Sequence, residues 1–113
     1  MSDSPPKFYR AAKEAHPELI AAYEALGAAA KEAGPLSAHT AALVKLALSI
    51  GGAMEGASHA AVRKALAAGC STEELRHVAL LSVTTLGFPS MMRARSWVED
   101  IIGSDLPEPT SRT

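Results

Sequence analysis

One cysteine, few aromatic side chains and no concentration of one charge sign are the most restrictive features of this 113-residue chain. A lone Cys70 forms no intrachain disulfide and offers no CxxC pair, which excludes a disulfide scaffold and a two-thiol redox centre within one chain. With a formal net charge of -1 and scattered lysines and arginines, the chain lacks the clustered basic surface of a nucleic-acid binder. No apolar run approaches the roughly 20 residues of a membrane span, and the polar, proline-bearing start is unlike a signal peptide. The expected setting is cytoplasmic, without a membrane or nucleic-acid partner. The alternating β-branched pattern of strands is missing as well.

What is present is alanine-rich and helical in period, so the expected fold is all-α, with about six helices. Residues 1–6 and 104–113 read as flexible ends around a helical domain over 7–103. A short helix is expected from Lys7 to Ala15. A second begins at Pro17, carries a stripe of Leu19, Ala22, Tyr23, Leu26 and Ala30, and stops at Gly34-Pro35. Ser37 can cap a third helix, with Leu43, Leu46, Ala47 and Ile50 at core spacing before a break at Gly51-Gly52. A fourth runs from about Ala53 to Ala68.

Gly69 suits the left-handed position after that helix, and Ser71-Thr72-Glu73-Glu74 has the S-x-x-E form of a capping box. The fifth helix is expected to continue to Leu86, with Leu80 and Leu81 off its main stripe as candidates for subunit contact. Gly87-Phe88-Pro89 interrupts the chain, and a last helix is expected from about Ser90 to Ile102, presenting Ala94, Trp97, Val98 and Ile101.

The chemistry concentrates in Gly51-Gly52-Ala53-Met54-Glu55-Gly56-Ala57-Ser58-His59. Glu55 and His59 are four residues apart, on one helix face, and Arg63 extends the row by a turn. A carboxylate beside an imidazole can move protons, and small neighbours leave room for a substrate. The same spacing also describes a solvated salt-bridged face contributing a few tenths of a kcal/mol per pair, so both readings stay open. His39 and His77 fit exposed helix positions and His16 a helix flank. Met54, Met91 and Met92 read as gap-filling residues. Cys70 reads as a small residue near a helix start. No cofactor fingerprint appears, and a lone Glu/His pair lacks the third ligand of a catalytic zinc, so no metal site is expected.

The order of GPL before the third helix, the small-residue segment ending at His59, the turn AAGCSTEEL and then LGFPSMM resembles the carboxymuconolactone decarboxylase family, which includes alkylhydroperoxidase-D-like proteins. The resemblance covers roughly Pro17 to Ile102. It implies an all-α, alkylhydroperoxidase-D-like helical bundle assembled as a trimer or hexamer. The family's peroxidase branch carries CxxCxxxH on the helix before the glycine turn. Counting back from Gly69 in the family's spacing puts Met54, Ala57 and Ala61 there, and alignment on His59 puts Gly52 and Glu55 at the cysteines. Neither register supplies a thiol.

The decarboxylase branch carries Glu followed four residues later by His, the spacing of Glu55 and His59, though these lie two residues nearer the N-terminus than usual when measured from Gly69. A second group resembles EGA-x-H-x-H, whose second histidine would fall on Ala61. The resemblance thus implies thiol-independent decarboxylation or isomerisation of a small organic acid or lactone. His59 would donate the proton, Glu55 would orient it, and Arg63, Arg93 or Arg95 would hold the substrate carboxylate. A non-catalytic oligomer that binds a metabolite, and a peroxidase acting through Cys70, are the alternatives.

Overall fold

In the computed structural model, which describes residues 7–103, the chain is entirely helical and turn, with no strand among the described residues. The helices are α1 (Lys7–Ala15), α2 (Pro17–Glu32), α3 (Ala38–Gly51), α4 (Glu55–Ala67), α5 (Thr72–Leu81), α6 (Val83–Leu86) and α7 (Phe88–Ile102). The segments expected to be flexible, 1–6 and 104–113, lie outside the described residues. Two compact units are present, and the boundary between Ala41 and Ala42 falls within α3.

The first unit is an α1–α2 hairpin continuing into the first turn of α3. Pro17 occupies the opening of α2, where its missing N–H has no intrahelical acceptor to lose. The Tyr9 hydroxyl donates to the Glu24 carboxylate, which also meets Lys13 Nζ at 3.4 Å. Ser37 Oγ accepts from the Thr40 backbone N–H at 3.1 Å, the expected cap of α3. The stripe on α2 is present but uncovered. No residue of α2 is buried, and Leu19, Tyr23 and Leu26 are 61–67% exposed.

The second unit holds the core: Leu46, Ile50, Val62, Ala65, Cys70, Leu75, Ala79, Ala94, Val98 and Ile101, drawn from α3, α4, α5 and α7 and the turn before α5. Helix α7 packs against both α4 and α5. Trp97 is buried, as its spacing predicts, whereas Ala47, placed on the core face by sequence, is exposed. Leu80 and Leu81 are exposed too.

Three boundaries differ from expectation, each for a local reason. Helix α4 starts at Glu55 and not near Ala53, because Ala53 takes a left-handed conformation (φ 57) that ends α3. There the Met54 N–H reaches Ser49 O at 3.0 Å and the Ala53 N–H reaches Ile50 O at 2.9 Å, the paired bonds of a Schellman motif. The same motif closes α4 at the predicted glycine: with Gly69 at φ 93, Cys70 N–H bonds Ala65 O at 2.9 Å and Gly69 N–H bonds Leu66 O at 3.1 Å.

The expected long fifth helix is divided at Ser82, whose hydroxyl donates to Ala79 O at 2.7 Å and competes with the helical ladder just before the β-branched run Val83-Thr84-Thr85. Its opening follows the sequence closely: Ser71 Oγ accepts from Glu74 N–H at 3.0 Å, and Glu74 Oε1 accepts from Ser71 N–H at 2.9 Å. Helix α7 begins two residues before Ser90 because Gly87 (φ 99) turns the chain and Pro89 fits inside the first turn.

Candidate functional site

Glu55 is the first residue of α4 and His59 stands one turn later, so a rigid helix fixes their spacing. The start of α4 is tied to α3 from beneath. Ser49 Oγ donates to Leu46 O at 2.8 Å, which leaves its oxygen to accept the Ser58 hydroxyl 3.0 Å away; both serines are buried. His59 Nε2 lies 3.0 Å from Asp100 Oδ2 on α7, with side chains 21% and 53% exposed. One donor atom from each of Glu55, His59 and Asp100 lies within 4.8 Å of the others.

The predicted pair is therefore a trio. Asp100 is 41 residues from His59 and was not singled out by sequence. Its signal lies in the helical pattern of α7, where it borders the buried face formed by Trp97, Val98 and Ile101. Glu99, the preceding residue, faces the other flank. It accepts from Arg76 Nε at 2.8 Å and from Arg76 Nη2 at 3.3 Å, and the same Nη2 reaches the Gly103 carbonyl at 3.4 Å. Two consecutive carboxylates, about 100° apart around α7, thus join it to α4 on one side and to α5 on the other.

The expected absence of a metal site rested on there being only two possible ligands; Asp100 removes that premise. The arginines divide. Arg63, half-buried, stands one turn beyond His59 on the same helix. Arg93 lies with its guanidinium 5.5 Å from the Trp97 ring centroid, a cation–π contact. It is also about 10 Å along α7 from Asp100 by helix rise, and Arg95 is turned roughly 140° away from Asp100.

The described cleft lies apart from the Glu55–His59 row, with neither residue in its lining. A cleft of ≈ 550 Å³ runs between α3 and α5–α6, lined by Leu43, Ile50, Val78 and Leu86 among others, with Glu74 and His77 as its ionisable residues. His77, expected merely to be exposed, is exposed and borders this cleft. Cys70 is 5% exposed, and burial, followed by the nearby Glu74 charge, pushes its thiol pKa up. That is the opposite of the electropositive, accessible setting that makes a cysteine a reactive thiolate.

The model of the carboxymuconolactone decarboxylase family matches residues 17–100, and the chain belongs to that family. No match was found among curated proteins or among solved structures. Among the described residues, no helix is long and apolar enough to cross a membrane.

Proposed function

We propose that the chain carries out acid/base chemistry, decarboxylation or isomerisation, on a small organic acid or lactone, with His59 as the proton-transferring group. The observation that supports this reading is the 3.0 Å contact between His59 Nε2 and Asp100, with the Glu55 carboxylate in the same cluster. Asp100 holds the ring orientation through its contact with Nε2, and the Glu55 carboxylate lies in the same cluster. That leaves the other ring nitrogen to exchange a proton with a substrate. Decarboxylation of such an acid moves the C–C bonding pair onto an adjacent carbonyl to give an enolate, and protonation by the imidazolium completes the step. Arg63, one turn on along α4, would hold the substrate carboxylate through its guanidinium.

A screen of lactones and β-keto acids, run on wild type, Glu55→Gln and His59→Ala, tests this. The expected result is turnover in the wild type, with a loss of about 10²-fold or more in His59→Ala. Equal turnover by all three proteins would sink the assignment. A second reading, a metabolite-binding protein without catalysis, is favoured by the ≈ 550 Å³ apolar cleft, whose lining includes neither Glu55 nor His59. Assembly as a trimer or hexamer belongs to either reading. It is supported by the uncovered stripe of Leu19, Tyr23 and Leu26 and by the exposed Leu48 and Leu81.

A further inference from the structure

The Glu55–His59–Asp100 trio has the composition and spacing of a metal-ligand set as well as of a proton-transfer site. We propose that these three side chains hold a divalent cation of the zinc class, with a coordination position left open. This inference stands on the geometry alone and holds whether or not the chain turns over a small acid.

Three observations carry it. The first is distance. A tetrahedral zinc with bonds of about 2.0–2.2 Å holds its ligand atoms roughly 3.3–3.5 Å apart. The His59–Asp100 edge already measures 3.0 Å, and all three donor atoms fall within 4.8 Å of one another. Glu55 is the exposed first residue of its helix, so closing its edge requires only rotation about side-chain bonds. The second is charge. Two carboxylates and a neutral imidazole carry two negative charges, the complement of a divalent ion. The third is placement on regular structure. The i, i+4 pair projects from one face of α4, and the third ligand comes from the neighbouring α7, so two packed helices fix the set.

Three protein ligands are the number found in catalytic zinc sites, where the fourth position takes water or substrate. Oxygen and imidazole donors without sulfur also suit manganese or iron, and zinc is the probe with the simplest coordination chemistry. The ion would occupy the lone pair of a His59 ring nitrogen and displace the proton shared with the carboxylates. A metal-bound His59 and the doubly protonated imidazolium of the acid/base step are therefore mutually exclusive states of one ring.

Zinc chloride titrated into purified protein by calorimetry tests this, with all proteins carrying Cys70→Ser so that no thiol contributes. The expected result is one zinc per chain, with an affinity reduced about 10-fold or more by Asp100→Asn and by His59→Gln. Asp100 is exposed, so Asp100→Asn keeps its shape and is expected to fold, which circular dichroism checks directly. X-ray absorption at the zinc edge should show nitrogen and oxygen neighbours, with imidazole scattering that disappears in His59→Gln. Absence of binding at millimolar zinc, or binding that Asp100→Asn leaves unchanged, would overturn the proposal. Neither readout depends on activity, so loss of the acid/base reading leaves this one standing, and the reverse.

Discussion

Replacing Arg76 with methionine removes the partner of Glu99 while keeping much of the side-chain volume. Glu99 is only 9% exposed, and Arg76 supplies two hydrogen bonds to it, at 2.8 and 3.3 Å. Breaking a buried pair costs about 3–5 kcal/mol, because the surviving charge has lost its water and gains no partner. Arg76 is 21% exposed, so water reaches part of the vacated space, which brings the expectation to about 2–3 kcal/mol. Against a total stability of about 5–15 kcal/mol, that is a substantial fraction. It corresponds to a melting temperature lowered by roughly 10–20 °C for a domain of this size.

Urea unfolding is the assay, with Trp97 as the probe, since this buried ring lies two residues before Glu99 on α7. The double variant Arg76→Met/Glu99→Met removes the stranded charge along with its partner and should recover at least half of the loss. A cost below about 1 kcal/mol for the single variant, or a double variant no more stable than the single one, would refute the reasoning. The pair also bears on the candidate site. Asp100 follows Glu99 directly, so loosening the α5–α7 clamp should weaken the His59–Asp100 contact, visible as altered His59 ring resonances in NMR spectra.

Ala53→Gly should stabilise the chain by about 0.5–1 kcal/mol in urea unfolding, because Ala53 adopts the left-handed conformation that glycine takes without penalty; the reverse exchange at Gly69, with φ 93, should cost about 1 kcal/mol in the same assay. Cys70 should react with iodoacetamide at pH 8 about 10-fold or more slowly in the native chain than in urea, since burial disfavours its thiolate; equal rates would mean that the turn opens readily. If the α2 stripe covers a second copy of the chain, Tyr23→Lys with Leu26→Lys should lower the mass measured by light scattering, and an unchanged mass would dissociate that face from assembly.

Helix joints were legible in the sequence wherever a single residue type dictates backbone geometry. Gly69 and the Ser71/Glu74 box are local, requiring only a left-handed residue and two reciprocal hydrogen bonds, and both form as expected. The row of Glu55 and His59 is legible for the same reason, since helical period alone sets its spacing. Asp100 was not, because its meeting with His59 depends on how α4 and α7 pack, and the sequence of α7 marks it only as a polar residue beside a buried face. The break marked in sequence by Gly51-Gly52 puts its positive φ on the alanine that follows, Ala53, where residue type gives no signal. The α2 stripe shows the limit of periodicity. It identifies an apolar face but not whether the chain itself covers that face.

The two Schellman closures have a genetic consequence. Helix α4 is bounded at each end by a turn whose hydrogen bonds count residues: Ser49 to Met54 before it and Ala65 to Cys70 after it. Point substitutions within α4 leave that count intact. Insertion or deletion of one residue between Met54 and His59 would rotate His59 by about 100° and carry it off Asp100, with the helix otherwise well formed. The geometry of this site should therefore tolerate substitutions at the other positions of α4 far better than changes of length.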